Sequence, residues 1–242
     1  MSTLPPERTA QPREFRNAER AQHSVLTRAE KKTLAWLAAR MPRWVNSDHL
    51  TALSLLAMLL AGGSYWLARY DRRGLLLVCV CLAVNWFGDS LDGTLARFRK
   101  TPRPRYGFYV DHVVDTFGAL ALLGGLALSG YMSPLAAAVL LIAYYILSIE
   151  VFLATYCLGT FHMSFGGLGP TELRILLAGA NVWLYFTARV PMAQVFGMEV
   201  RVFDVGAMIA AAGMFAIAVA TAARHIRALY QAEPIKKIAP GD

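Results

Sequence analysis

The segment FGDSLDGTLARFRKTPRPRYGFYVDHVVDTF, residues 87–117, places four aspartates at the facing ends of two apolar runs. Asp89 and Asp92 close a run that begins GLLLVCVCLAVNWFG, and Asp111 and Asp115 open a run that continues TFGALALLGGLALSG. The whole chain is 56% hydrophobic and only 17% charged, with a mean hydropathy of +0.42, which is too apolar for an ordinary soluble domain. The sequence therefore predicts four carboxylates inside a membrane.

Six apolar segments are long enough to cross a bilayer, for which a helix needs about 20 mostly apolar residues. They are Thr51–Trp66, Gly74–Leu95, Phe108–Ser129, Pro134–Leu158, Leu173–Val190 and Val202–Ala223. We predict an all-α integral membrane protein with six transmembrane helices. The three cysteines all lie inside these segments, which indicates small buried residues and neither a disulfide framework nor a zinc site.

Four regions follow from this pattern. Residues 1–27 form a polar arm that is predicted to be mobile, and residues 28–45 form an amphipathic juxtamembrane helix. In that helix four apolar residues oppose four basic ones: Leu34, Trp36, Leu37 and Met41 against Lys31, Lys32, Arg40 and Arg43. Residues 46–230 form the six-helix membrane domain, and residues 231–242 form a cytoplasmic tail.

The distribution of basic residues predicts the orientation. Arginine and lysine crowd the amphipathic helix, the 98–106 loop and the tail, whereas the 130–133 turn has none. Basic loops stay on the cytoplasmic side, so both termini and the 98–106 loop are predicted to be cytoplasmic, although the basic residues at 69–73 argue weakly against this. The net charge of +8 indicates contact with lipid headgroups or a phosphorylated substrate, and no nucleic-acid-binding module is present in the sequence.

The spacing of the acids predicts that they converge. Asp89 and Asp92 are three residues apart and Asp111 and Asp115 four apart, so each pair shares one helical face. On antiparallel helices, Asp92 should face Asp111 and Asp89 should face Asp115. Four such carboxylates cannot all stay ionised in a low dielectric without cations. The alternative is an acid–arginine helix contact, with Arg97 as one possible partner and Arg99 as the other.

Oxygen ligands at this density favour Mg²⁺ or Mn²⁺, and two such ions can clamp a diphosphate. The order of residues then resembles a known signature. DSLDGTLAR (residues 89–97), a nine-residue linker, Gly107, Asp111 and Asp115 are similar to the motif of the CDP-alcohol phosphotransferase family. The resemblance implies an enzyme that transfers a substituted phosphate from a CDP-linked donor to an alcohol and releases CMP. It also implies a divalent metal pair, a site facing the cytoplasm and a homodimer. We predict that the membrane is a bacterial inner membrane.

The resemblance also implies roles for individual residues. The four aspartates would bind the metal ions, and Asp115 would in addition take the proton from the attacking hydroxyl. The diphosphate and cytidine pocket would be formed by Gly93, Ala96, Arg97 and Gly107. Small residues at these positions are equally typical of helix packing, so both interpretations remain open at this point. His112 is adjacent to Asp111 but lies on another helical face, which indicates a structural residue.

Acceptor selection is predicted to lie outside the signature. GGLGPTELR, residues 166–174, resembles the Gly-Pro-Thr-Glu stretch of aminoalcohol phosphotransferases, which use CDP-choline or CDP-ethanolamine, whereas the donor in other relatives is CDP-diacylglycerol. Glu172 and Arg174 would stand at the mouth of the site, and Glu150 lies at a similar depth to the aspartates. The alternatives are a helix cap at Thr171 and local bonds from Glu150 to neighbouring groups.

Two other classes of protein also concentrate acids in a membrane. Intramembrane prenyltransferases bind a prenyl diphosphate through Mg²⁺, but with two acidic clusters that lie far apart in the chain. Here both pairs fall within 27 residues. A divalent-cation transporter would carry polar residues on both sides of the membrane midplane, and the first and third segments have almost none on the far side.

Overall fold

The computed structural model describes residues 19–21, 27–162, 169–187, 190–195 and 197–235. The predicted mobile arm, residues 1–27, therefore lies largely outside the described residues, as do residues 236–242 of the predicted tail and residues 166–168 of the glycine-rich turn. The described part contains seven helices: α1 (Thr27–Arg40), α2 (Ser47–Ala68), α3 (Arg73–Phe98), α4 (Pro104–Ser129), α5 (Pro134–Leu158), α6 (Pro170–Phe186) and α7 (Val202–Ala232). It also contains four short strands: β1 (Glu19–Ala21), β2 (Thr160–His162), β3 (Met192–Val195) and β4 (Met198–Arg201).

Local signals determine where several helices begin and end. Asn46 caps α2 by accepting a hydrogen bond from the backbone amide of His49, whose Nδ1 accepts in return from the amide of Asn46. The Ser133 hydroxyl caps α5 just before Pro134, which suits a first helical position because proline has no amide hydrogen to leave unpaired. Helices α4 and α5 both end at a glycine with positive φ, at Gly130 and Gly159.

Five helices, α2, α3, α4, α5 and α7, are long and apolar enough to cross a membrane. This is the composition of a multi-pass membrane protein, and many large apolar side chains on these helices are exposed, as they are where lipid surrounds a protein. The fifth predicted segment coincides with α6, which has 17 residues and so a length of about 26 Å, short of a hydrocarbon core of about 30 Å. A sixth crossing stays a prediction.

Helix α2 lies at the centre of the packing. Helices α3 and α4 both pack against it, α6 packs on α3, α5 packs on α4, and α7 packs on α5. The α2–α4 crossing is very close: a Cβ added to Gly125 would lie 2.5 Å from Cα of Gly62, and one added to Gly62 would overlap the Ala121 carbonyl. Glycine is required there because the two backbones leave no space for a side chain.

Helices α3 and α4 are not direct neighbours along their length. All of their residues are described, and along almost all of their length their Cα atoms lie more than 8 Å apart. Both helices lie against α2 but not against each other, so a gap remains between them. The two aspartate pairs lie on either side of that gap, as described below.

The amphipathic helix α1 packs on α3. Its Leu34 and Ala38 are buried in a cluster with Leu91 and Leu95 of α3. Trp36 lies outside this contact: its side chain is 55% exposed, with the Arg40 guanidinium 4.1 Å above its ring. The amphipathic helix on the membrane surface stays a prediction.

Candidate active site

The four predicted acids come together at one end of the helix bundle. Asp89 and Asp92 lie near the C-terminal end of α3, and Asp111 and Asp115 lie near the N-terminal end of α4. The Asp89 carboxyl group lies beside that of Asp111, and Asp115 is close enough to the other three for their charges to interact. All four are half-buried. Their charges face one another across the gap between α3 and α4, so they repel in a region with little water.

Arg174 of α6 offsets part of this charge. Its Nη2 donates to Asp89 Oδ2 at 2.5 Å, and its Nε donates to Asn85 Oδ1 at 2.8 Å. Asn85 is buried and in turn donates to the hydroxyl of Ser54 on α2 at 2.8 Å. The guanidinium is therefore held in a fixed orientation by two groups on α3, and α2 fixes one of those groups. Of the two arginines that the sequence offered as partners for the acids, Arg97 donates to Thr94, and Arg99 donates to backbone carbonyls at 41–45.

Asp92 is held from the side of α2. Thr51 Oγ1 donates to Asp92 Oδ2 at 2.6 Å, and Ser47 Oγ donates to the Asp92 backbone carbonyl at 3.0 Å. The other carboxylate oxygen accepts from the backbone amide of Gly93. Both oxygens of Asp92 thus have a defined direction, which is the kind of support that keeps a metal ligand in place.

His112 lies beside the cluster but is tightly packed. Ligand atoms of Asp111, His112 and Asp115 all lie within 4.8 Å of one another, a spacing that can hold a metal ion. The imidazole is nevertheless buried against two aromatic rings, with centroid distances of 4.1 Å to Phe108 and 4.6 Å to Phe152. Its Nδ1 lies 3.5 Å from Asp111 Oδ2. The ring is therefore packed among aromatic side chains beside Asp111, and the structural role that the sequence indicated stays a prediction.

Helix α5 provides a further wall of the site. Tyr144 lies close enough to Asp115 and Asp89 for its phenol to interact electrostatically with both carboxyl groups. Tyr145 donates from its hydroxyl to the backbone carbonyl of Thr116 at 3.0 Å, which fixes α5 against α4 one residue beyond Asp115. No motif in the sequence pointed to either tyrosine.

The surroundings of the small signature residues are open. The nearest atoms to a Cβ added at Gly93 belong to the flexible guanidinium of Arg97, at 3.3 Å, and no atom lies within 4 Å of one added at Gly107. Ala96 is half-buried and Arg97 is exposed. Within the described part of the chain, no neighbouring helix approaches either glycine closely, so packing inside a single chain does not account for these two glycines.

The three predicted acceptor residues do not form one group. Arg174 contacts Asp89 directly, as described. Glu172 Oε2 accepts from the backbone amide of Gly169 at 3.0 Å and so caps α6, which is the alternative interpretation of this stretch, though with Glu172 in place of Thr171. Glu150 Oε1 lies 2.6 Å from Nδ1 of His225, and this pair joins α5 to α7. Arg174 thus contacts an aspartate, whereas the bonds just described for the other two join Glu172 to Gly169 and Glu150 to His225.

Sequence reasoning overlooked the polar residues that hold the acids, namely Ser47, Thr51, Ser54 and Asn85. Asn85 had a usable signal, because an asparagine within an apolar run requires a partner. The hydroxyls of Ser47 and Thr51, in the stretch NSDHLT (residues 46–51), offered no such signal apart from their position at the start of a helix.

Comparison with known proteins identifies a related group. A family model described as CDP-alcohol phosphatidyltransferase matches residues 45–219 of the chain. Archaetidylinositol phosphate synthase of Pyrococcus horikoshii is 32% identical over 99 residues, which is 41% of this chain and 46% of that protein. The match thus spans less than half the length of this relative.

Proposed function

Because the chain belongs to the CDP-alcohol phosphatidyltransferase family, we propose that it transfers a substituted phosphate from a CDP-linked donor to an alcohol and releases CMP. The observation that carries this proposal is the convergence of Asp89, Asp92, Asp111 and Asp115 from two helices that share few contacts. Such a gap lined by acids suits a charged diphosphate bound through cations. The product would be a phospholipid or a phospholipid precursor, as the name of the relative suggests.

The donor set fits divalent metal ions, which members of this family use. The four aspartates present only hard oxygen atoms to the gap, the type of ligand that Mg²⁺ and Mn²⁺ prefer. We assign all four to a pair of such ions. When bound, the ions neutralise the donor diphosphate and the departing CMP. Hydrogen bonds from three residues then keep the carboxylates from turning away from one another: Thr51, Ser47 and Arg174.

We assign the role of general base to Asp115. It is the acid nearest the middle of the bilayer on α4 and faces Tyr144, so an acceptor alcohol that approaches from this side meets its carboxylate. One carboxylate oxygen takes the hydroxyl proton as the alcohol oxygen attacks the phosphorus.

The donor nucleotide is assigned to the open surface beside α3 and α4. The lack of packing around Gly93 and Gly107 leaves space for a large group to approach the backbone, and Ala96 extends this surface by one turn. Arg97 is exposed at the edge and places a guanidinium where a phosphate can accept from it. These four residues form the proposed CDP-binding surface.

Arg174 is the best supported of the proposed acceptor residues. It brings a cation to the cluster, and a guanidinium suits an acceptor that carries a phosphate, in keeping with the inositol phosphate in the name of the relative. CDP-diacylglycerol and a CDP-aminoalcohol are both retained as donors. Glu150 and Glu172 are assigned weaker roles, because each already has a structural partner.

The membrane arrangement is proposed as the sequence predicted it. Six crossings, with α6 as the fifth, place both termini and the aspartates on the cytoplasmic side of a bacterial inner membrane. Residues 28–45 form the juxtamembrane helix, residues 46–230 form the catalytic domain, and the enzyme is a homodimer. Family membership favours this enzyme over a prenyltransferase or a cation transporter.

A turnover assay tests the proposal. Purified protein in lipid is supplied with Mg²⁺ and either CDP-diacylglycerol, CDP-choline or CDP-ethanolamine, together with a panel of alcohols that includes inositol phosphate. Release of CMP with one donor, dependent on one alcohol, is expected. The matched control is Asp115→Asn, which keeps the size of the side chain. Absence of CMP with every donor, from protein that still binds Mg²⁺, would refute the proposed activity.

A further inference from the structure

One carboxylate outside the aspartate cluster joins three helices. Glu30 of α1 accepts at a single oxygen, Oε1, from Trp86 Nε1 at 2.9 Å and from Ser90 Oγ at 3.4 Å, both on α3. The same oxygen accepts from Thr171 Oγ1 on α6 at 2.8 Å. A half-buried anion with three donors from two other helices is a specific arrangement, because each donor must be aimed at it.

Both helices that Glu30 joins carry a group of the candidate site. Ser90 directly follows Asp89, and Thr171 lies three residues, or about one turn, before Arg174. The Arg174 guanidinium contacts Asp89. The interface between α3 and the first turns of α6 therefore has two polar contacts about one turn apart, one formed directly by Arg174 and one formed through Glu30.

Helix α1 is itself firmly placed, so it can act as a support. Leu34 and Ala38 are buried against α3, and Arg99, just after α3, donates to the carbonyls of Met41 and Pro42 just after α1. Strand β1, which precedes α1 in the chain, pairs in parallel with β2, with Arg20 opposite Phe161. Helix α1 thus contacts α3, and β1 contacts the strand that follows α5.

We propose that Glu30 is a positioning residue that holds the first turn of α6 against α3 and thereby holds Arg174 on Asp89. The expected effect of Glu30 on turnover rests on the proposed function, whereas its effect on the position of α6 does not depend on that function. A hydrogen bond to a charged group changes an equilibrium about tenfold or more. Loss of this acceptor therefore frees the start of α6 and lowers the fraction of protein in which Arg174 reaches Asp89.

Amide hydrogen exchange of the full-length protein in lipid tests the placement directly. In Glu30→Ala, amides of residues 171–176 should exchange about tenfold faster than in the unaltered protein, whereas those of α2 should not change. Glu30→Gln keeps an oxygen at the same place and should restore most of the protection. Thr171→Val, which removes one donor at nearly constant volume, should reproduce part of the effect. Two substitutions serve as matched controls. Glu199→Ala removes a carboxylate on β4, and Thr187→Val removes a hydroxyl that donates to the carbonyl of Trp183 at the other end of α6.

Turnover supplies the second measurement. Glu30→Ala should lower kcat/KM for the acceptor by about tenfold, and Thr171→Val should lower it as well. Because both substitutions remove the same contact, the double variant should be no slower than the slower single variant. If Glu30→Ala does not fold, Trp86→Phe and Thr171→Val serve in its place, because both keep α1 intact. Unchanged exchange at 171–176 would overturn the inference, and so would an equal rise in every helix. Absence of turnover in the unaltered protein would count against the proposed function alone, since the exchange data would still decide the role of Glu30.

Discussion

The close crossing of α2 and α4 should make one glycine far less replaceable than its neighbour. Gly125→Ala and Gly124→Ala add the same methyl group to adjacent positions on α4. At Gly125 the new Cβ would lie 2.5 Å from Cα of Gly62, whereas no atom lies within 4 Å of the Cβ at Gly124. The pair therefore separates the effect of helix propensity from that of the crossing.

The magnitude follows from these distances. Carbon atoms pack at about 3.5–4.0 Å, so the two backbones must move apart by about 1 Å, and no side-chain rotation can relieve the overlap. Overpacking of this kind costs about 1–3 kcal/mol, and the high end applies because both partners are backbone. Alanine is worth about 1 kcal/mol more than glycine within a helix. Gly124→Ala should thus be stabilising by about 1 kcal/mol, and Gly125→Ala destabilising by about 2 kcal/mol.

Thermal unfolding in one detergent measures the difference. At about 2–4 °C per kcal/mol for a chain of this size, Gly125→Ala should lower Tm by about 4–8 °C and Gly124→Ala should raise it by about 2–4 °C. Because α2 supports both aspartate pairs, Gly125→Ala should also weaken Mg²⁺-dependent CDP binding, and Gly124→Ala should not. Equal Tm values for the two variants would refute the close crossing. Gly62→Ala and Gly63→Ala repeat the comparison from α2, where only Gly62 faces backbone atoms.

Other predictions concern the aspartates and the membrane. Asp115→Asn should keep CDP binding while turnover falls by about 10²–10⁴-fold, because the variant loses the base but keeps an oxygen ligand; turnover at the normal rate would show that another group takes the proton. Asp89→Ala should abolish Mg²⁺-dependent CDP binding as well as turnover, and normal binding measured by titration would remove Asp89 from the metal set. A chelator should stop CMP release, and Mg²⁺ or Mn²⁺ should restore it; full activity in protein shown to be metal-free would contradict the metal pair. A tag at either terminus should be accessible from the cytoplasmic side and the 130–133 turn from the other, and protease cleavage of the two termini from opposite sides would disprove this orientation.

Much of the fold could be predicted because the length of each apolar run, and the residues that start and end a helix, can be read from the sequence directly. Pro134–Leu158 matches α5 at both ends, since Ser133 with Pro134 starts a helix and Gly159 ends one. The segment predicted at Leu173–Val190 was less accurate: α6 begins earlier, at Pro170, and ends at Phe186. Hydropathy identifies apolar length, but it does not register the capping bond from Gly169 to Glu172, which adds a turn of polar residues to the helix.

The neighbours of each helix could not be predicted in the same way. The sequence placed α3 and α4 side by side because a short loop joins them, yet α2 lies against both and leaves a gap. One contact behind this arrangement is that of Gly62 with Ala121 and Gly125, where the backbones of α2 and α4 meet without intervening side chains. Small residues occur throughout the chain, and their spacing does not reveal which of them meet.

The sequence by itself determined that four aspartates lie within apolar helices and that each pair shares one helical face. Both statements need only local information, because the helical repeat spans a few residues. Only the tertiary structure decided what holds those acids. Arg174 contacts Asp89 from 85 residues away, Thr51 contacts Asp92 from 41, and Glu30 reaches Thr171 from 141. These contacts depend on how α2, α3 and α6 pack, and packing is set by the combined shapes of several helices rather than by the period of any one of them.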